Sequence, residues 1–373
     1  MNILLLSYSI YETNGGINEI EKICRKLGDT DTLVLSRSNI SDSHVKKVIL
    51  KSEHKTNNIS VLIRYIIMTI ILIQKNKYDL LFIDNYTSSI AGFVAYMLNK
   101  RVFMAVLARE LYIDYKMPGL GNIFLKFESK LIKKADIVLA RNIERADIMK
   151  KHYKLSETPI ILENIRRIEK EYDPDEMELK YSGYFTHEIN IISAGGLDFE
   201  RGVGRLILAM KELPNCGLYI CGRGTTEAYE QACKIISENQ LQNIYIFDKK
   251  PLSELRYIMS RCNIGTVEYS QNRLNSIYCA SGRLYEYLFE GLPVVTTTNP
   301  PLKRLCEKYS IGVSTDDVLC GIKIILSEYD KYRLNVKSFI DSLMNYSVSE
   351  QVSSLIMKKY QEKIRYRFMT KKY

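Results

Sequence analysis

The chain has 373 residues, 46% of them hydrophobic and 26% charged, which is long enough for two domains with separate cores and too ordinary in composition for a disordered chain away from its ends. Its formal net charge of +10 and pI near 9.0 favour an acidic partner: nucleic acid, anionic lipid or a phosphorylated substrate. Sign alone does not choose among the three.

The opening MNILLLSYS has no basic leader region and runs straight into a strand pattern at Ile3–Ser7, so it reads as a strand and not as a secretory signal. A glycine turn, Asn14-Gly15-Gly16, then leads into a helix from about Ile17. Further strand patterns follow at Thr32–Leu35, Asp79–Ile83, Val102–Val106, Ile137–Leu139 and Pro159–Leu162, with helical patterns between them. The most lipid-like run, VLIRYIIMTIILI at Val61–Ile73, is interrupted by Arg64 and too short to cross a bilayer about 30 Å thick. A buried core helix fits it, and so does a helix lying on a membrane surface. The stretch Glu163–Leu179, ENIRRIEKEYDPDEMEL, is charged and has no apolar period; it reads as an interdomain linker in which Glu163, Arg166 and Arg167 are solvated.

A second series begins beyond it. Strands are expected at Ile189–Ala194, Leu218–Cys221, Ile244–Phe247, Ile264–Val267 and Val294–Thr297, and helices at Val203–Leu213, Glu227–Glu238, Leu252–Met259 and from Gly282. The tail from Val348 to Ile364 is helical and amphipathic. Alternation of this kind argues for an α/β protein with two Rossmann-like, doubly wound parallel-sheet domains facing across a cleft: residues 1–165, a linker at 166–180, and residues 181–346, with the helix 347–373 at the end. Ligands of open α/β sheets bind at the carboxyl ends of the strands.

The chain's 8 cysteines contain no C-x-x-C pair and read as reduced thiols packing like small apolar groups, which suits the cytoplasm. His44, His54, His152 and His187 have no zinc-site spacing, so no metal is expected. Four glycine turns at predicted strand ends draw notice: Gly15-Gly16, Gly195-Gly196 with Arg201, Gly222-Arg223-Gly224, and Ser281-Gly282-Arg283. Any one of them is an ordinary turn. Together they gather three arginines suited to a diphosphate. Neither GxGxxG nor GxxxxGK[ST] spacing occurs, which weighs against hydride transfer and NTP hydrolysis.

In SGRLYEYLFEGLPVV, Ser281 is the expected N-cap of a helix whose first amides have no partner and attract anions. Glu286, one turn deeper, is placed to accept hydrogen bonds from paired hydroxyls such as a ribose offers. The plain alternative is a capped surface helix with solvated Arg283 and Glu286. Tyr285 and Tyr287 read as packing residues.

The order of GGINEIEKIC, ENI, GGLDFERGVGRLILAM, YICGRG and SGRLYEYLFEGLPVV, spread over nearly the whole chain, resembles the retaining glycosyltransferases of family 4, which have the GT-B fold. Asn275–Val295 is similar to the NSxYxxxxxLYEYLxxGLPVV pattern of polysaccharide-assembly transferases within that family. The resemblance implies transfer of a hexose from a nucleotide-diphosphate sugar to an acceptor hydroxyl, with retention and without a metal or other cofactor, in cell-surface polysaccharide or glycolipid assembly. It implies that Arg201, Arg283 and Glu286 form the catalytic set, with Glu286 on the donor ribose and Arg201 where the family has a lysine. Ser281, Gly282 and Arg283 would lie at the diphosphate, with Gly16 bringing its backbone near the donor phosphate; Gly15, Gly195, Gly196, Tyr278 and Leu284 would be further donor-binding residues, and Gly222, Arg223 and Gly224 would line the nucleotide side. The terminal helix would cross back to the first domain, which binds the acceptor.

Two positions depart from the pattern. Tyr278 replaces the first glutamate of the family's E-x7-E motif, so the contact to the donor sugar is expected to be absent or altered, and Gly196 replaces an arginine. Arg109 and Glu110 stand where a histidine is often found and are candidates for acceptor or sugar contact; a solvated loop charge is the other reading of Glu110. The expected partners are a nucleotide-sugar donor, a glycan or lipid-linked acceptor and, peripherally, the anionic inner face of a membrane, with no nucleic acid. Two rivals are a weakened nucleotide-sugar-binding subunit, which Tyr278 and Gly196 favour, and a GT-B nucleotide-sugar epimerase, which the lack of an acid/base constellation disfavours.

Overall fold

Parallel strands covered on both faces need uninterrupted apolar runs, and the chain supplies them in two sets. The computed structural model describes residues 1–13, 15–37, 46–51, 58–113, 115–345 and 347–370; His44 and His54 lie outside the described residues. The first set is β1 (Asn2–Ile10), β2 (Asp29–Ser36), β3 (Lys46–Lys51), β4 (Leu80–Asp84), β5 (Phe103–Ala108), β6 (Ile137–Ala140) and β7 (Ile160–Ile161). These form one parallel sheet in the order β3-β2-β1-β4-β5-β6-β7, with Leu5 of β1 opposite Thr32 on one side and Phe82 on the other. The second set is β8 (Ile189–Ser193), β9 (Cys216–Cys221), β10 (Ile244–Phe247), β11 (Ile264–Val267), β12 (Val294–Thr296) and β13 (Gly312–Ser314), parallel in the order β10-β9-β8-β11-β12-β13.

The chain divides into two compact units, Met1–Glu163 with Ser347–Tyr373, and Asn164–Tyr346. In the first, the helix Val348–Thr370 lays Val352 and Ile356 into the core beside Ile20, Ile23 and Phe103. Lys363 donates to Asp136 at 2.5 and 2.6 Å, Lys26 pairs with Glu350 at 2.7 Å, and the Tyr360 ring meets Phe103 edge-on at 5.6 Å. The lipid-like run forms the helix Ile59–Lys75, whose Asn58 cap accepts from the Ser60 amide. Val61, Leu62, Tyr65 and Leu72 face inward, and the Tyr65 hydroxyl donates to the Leu33 carbonyl. Ile59, Ile63 and Ile67, spaced four apart, form an exposed outer ridge, so the helix has both a core face and an apolar outer one. No helix among the described residues is long and apolar enough to cross a membrane.

The segment read as a linker, 166–180, is instead part of the second unit. Asp173 caps the helix Pro174–Tyr181 by accepting from the amides of Asp175 and Glu176, and Ile168, Met177 and Tyr181 are buried in that unit's core. Three apolar residues among many charges are too few to raise a periodic signal, yet Met177 and Tyr181, one turn apart, suffice to anchor the helix. Cys24, Cys216, Cys221, Cys262, Cys279 and Cys306 are buried thiols.

Candidate functional site

The helix Gly282–Phe289 begins as its sequence dictates, with the Ser281 hydroxyl oxygen accepting from the Leu284 amide at 3.2 Å. That bond occupies the third amide of the helix and leaves those of Gly282 and Arg283 facing outward. A side chain at 282 would have to displace Arg166, because a Cβ there would lie 2.3 Å from the Arg166 side chain. Tyr287, wholly buried on the other face, accepts from the Ala194 amide at 2.6 Å and so ties the end of β8 to this helix. Gly196, at φ 86°, is pressed against the loop after β9: a Cβ would come within 2.1 Å of the Arg223 carbonyl oxygen.

These loops enclose a cavity of about 330 Å³ in the second unit. The turn after β8 contributes Gly195, Gly196, Asp198 and Arg201; the end of β11 contributes Glu268 and Tyr269; the helix contributes Ser281, Gly282, Arg283 and Glu286; the entering chain adds Asn164 and Arg166. Asn164 is fixed by donating to the Ala280 carbonyl at 2.9 Å. Glu286 is only 3% exposed and holds two guanidinium groups: Arg283 in close contact, and Arg166 at 3.5 Å. Arg201 pairs with Asp198 at 3.0 Å and its guanidinium lies 5.0 Å from the centre of the Tyr269 ring. Glu268, its side chain 9% exposed, has Arg205 at 4.0 Å. Burial pushes the Glu268 carboxyl up to about 7, opposed by Arg205. Guanidinium groups beside helix N-terminal amides are chemically suited to phosphate oxygens, and a carboxylate beside them to hydroxyl donors.

Of the residues singled out in the sequence, Gly195, Gly196, Arg201, Ser281, Gly282, Arg283 and Glu286 line this cavity. Gly222 and Arg223 stand behind Gly196, and Gly224 packs on Leu197. Tyr278, which ends the short helix Leu274–Ile277, is not among the lining residues. The expectation for Leu284 is corrected: its side chain is buried in the core and its amide is used by the cap. Arg166, read as a solvated charge, lines the cavity and pairs with Glu286. Arg166 and Glu268 are the charged lining residues, with Asp198, that sequence reasoning missed, along with Asn164 and Tyr269. Glu268 carried one signal, a charge placed immediately after an apolar strand.

Gly15, Gly16, Arg109 and Glu110 belong to the first unit. Gly16 opens the helix Ile17–Leu27, and a Cβ on it would lie 2.7 Å from the Arg109 guanidinium and 3.2 Å from that of Arg141. Arg109 is bound twice by Asp84, at 2.5 and 2.8 Å, and Arg141 pairs with Glu19 at 3.2 Å. Glu110 faces the buried Arg145 at 3.6 Å, and Arg145 also donates to the Arg109 carbonyl at 2.6 Å. Among the described residues, no group of three or more His, Cys, Asp or Glu is arranged to hold a metal ion.

No family model matches the sequence, and no curated protein matches it. Solved structures do. HepE of Anabaena, in complex with UDP and glucose, is 14% identical with 98% of each chain covered and a TM-score of 0.66. The sucrose-phosphate synthase of Thermosynechococcus elongatus is 14% identical, with the whole of both chains covered and a TM-score of 0.66. WaaG, a glycosyltransferase involved in lipopolysaccharide biosynthesis, is 15% identical over 95% of this chain and 99% of its own, with a TM-score of 0.67. At these identities the likeness is one of fold, and that fold, two parallel-sheet α/β units, is GT-B.

Proposed function

We propose that the chain is a retaining GT-B glycosyltransferase that moves a hexose from a nucleotide-diphosphate sugar to an acceptor hydroxyl during assembly of a cell-surface polysaccharide or glycolipid. The observation that carries this reading is the cavity of the second unit, where Arg166, Arg201 and Arg283 meet the outward amides of the helix Gly282–Phe289 and the buried Glu286. The Anabaena structure of this fold, which holds UDP and glucose, supports it.

In this reading the acceptor oxygen attacks the anomeric carbon on the face from which the diphosphate leaves. The bond from that carbon to the phosphate oxygen breaks, and the acceptor's proton passes to the departing phosphate. Arg201 and Arg283 stabilise the charge on the leaving group, Glu286 holds the ribose, and no resident metal is called for. The first unit is assigned the acceptor, with Arg109 and Glu110 as candidates for contact to it. The ridge of Ile59, Ile63 and Ile67 beside Arg64 supports a peripheral contact with an anionic inner membrane face, suited to a lipid-linked acceptor.

A second reading, a nucleotide-sugar-binding subunit that assists an active transferase, is favoured by two observations. Tyr278 is not in the cavity lining, and Gly196 has no room for the arginine expected there. Thermal unfolding against UDP-, GDP- and ADP-sugars, followed by hydrolysis and transfer assays on the purified chain, separates the two. Arg201→Ala should lower turnover by roughly 10²–10³. Full turnover in that variant contradicts the transferase assignment, and donor binding without turnover in the wild type favours the subunit.

A further inference from the structure

We infer that Glu268 is the group that recognises the donor's sugar, its carboxyl accepting hydrogen bonds from hexose hydroxyls. This rests on the reading of the second unit's cavity as a nucleotide-sugar site.

Three carboxyl groups line that cavity, and two are already engaged. Asp198 accepts from the Arg201 amide at 3.2 Å and pairs with the Arg201 guanidinium; Glu286 is held by Arg283 and Arg166. Glu268 differs. Its side chain is nine-tenths buried, it makes no hydrogen bond among the described residues, and its ion-pair partner Arg205 stands at 4.0 Å, beyond hydrogen-bond reach. A carboxyl that opens onto the cavity without a hydrogen bond can accept from a ligand that supplies donors.

The ligand's own chemistry selects which part comes to Glu268. A diphosphate offers only acceptor oxygens and negative charge, so it belongs with Arg201, Arg283 and the outward amides and is repelled by a carboxylate. Ribose hydroxyls are assigned to Glu286. The hexose is the remaining part that presents several O–H donors, and with Tyr278 outside the lining no carboxyl reaches it from that position. Glu268 lies at the end of β11 beside Tyr269, over which the Arg201 guanidinium sits, so a phosphate held by Arg201 would leave its sugar on the Glu268 side. Burial pushes this carboxyl up to about 7, so at neutral pH it is present in both protonation states, and either hydrogen-bonds to hydroxyls.

The test is calorimetric affinity of the full chain and its Glu268→Ala and Glu268→Gln variants for UDP, GDP and ADP, and for UDP-glucose, UDP-galactose, GDP-mannose and ADP-glucose. For the base that binds, the ratio of hexose-conjugate affinity to bare-diphosphate affinity should fall roughly ten- to hundredfold in Glu268→Ala and by less in Glu268→Gln. Bare diphosphate should bind Glu268→Ala at least as tightly as the wild type, since a nearby negative charge has gone. An unchanged ratio, or an equal loss for diphosphate and conjugate, overturns the inference and leaves the donor site standing. Should none of the seven ligands bind the wild type, the donor reading itself fails and takes this inference with it.

Discussion

Glu128, on the helix Leu120–Ile132, is 5% exposed, and burial pushes its carboxyl from 4.5 up to about 8, with the neighbouring charge of Glu110 adding to the shift. The folded protein therefore holds this proton where the unfolded chain would release it. The stabilisation is complete below about pH 4.5 and is lost as pH rises through 8. Glu128→Gln, which keeps the shape and cannot ionise, should be close to neutral at pH 5 and stabilising by roughly 3–5 kcal/mol at pH 9, read from denaturant melts at both values. A stability difference that does not grow with pH would contradict the shift. The same burial logic separates Glu286 from an ordinary helix-surface pair: an exposed Arg–Glu contact three residues apart contributes only a few tenths of a kcal/mol, but a carboxylate 3% exposed depends on its guanidinium partners.

The helix Gly282–Phe289 also acts as a spacer within the cavity wall. Its buried Tyr287 accepts the Ala194 amide, and Ala194 precedes the Gly195-Gly196 turn of the cavity. Tyr287→Phe keeps the ring and removes the acceptor, so the Ala194 amide is left buried and unpaired. We expect a loss of about 1–3 kcal/mol in chemical denaturation. Donor KM should rise with it, because the turn loses its anchor, and an unchanged KM would argue against that role. The helix Ile59–Lys75 poses a different question, since Ile63 and Ile67 are each 51% exposed. If the ridge meets lipid, Ile63→Asp with Ile67→Asp should abolish low-salt sedimentation with anionic vesicles while leaving the melting temperature nearly unchanged. Equal sedimentation by the variant would remove the membrane contact from the proposal.

At the scale of the whole molecule, the first unit is completed by a segment that follows the second in the chain. Ile356 of the helix Val348–Thr370 is wholly buried against Ile20, Ile23 and Phe103. Ile356→Ala should cost about 2–5 kcal/mol of the first unit's stability. Because the cavity of the proposed donor site lies in the other unit, stabilisation by a nucleotide that binds the wild type should persist in that variant, as differential scanning calorimetry with and without ligand would show. If the transferase reading holds, chelation by EDTA should leave turnover of the purified chain intact.

The parallel sheets were open to reading from residue order. A strand buried on both faces must be apolar along its length, so runs such as LLFID at Leu80–Asp84 and IGTV at Ile264–Val267 stand out between glycine turns and helical patterns. So was the N-terminus of the helix Gly282–Phe289, because a serine cap and a glycine are local requirements of that turn. Other features were not open in this way. Lys46–Lys51, KKVILK at a sheet edge, has only three apolar residues between lysines, and Pro174–Tyr181 hides two anchoring side chains among charges. Glu128 carries no local mark of its burial and Arg166 none of its pairing with Glu286, since a charged residue is solvated, paired or enclosed according to what packs across from it, and those partners lie far along the chain. Periodicity records which face of an element is apolar; the burial and pairing of its charges arise when distant segments close over them.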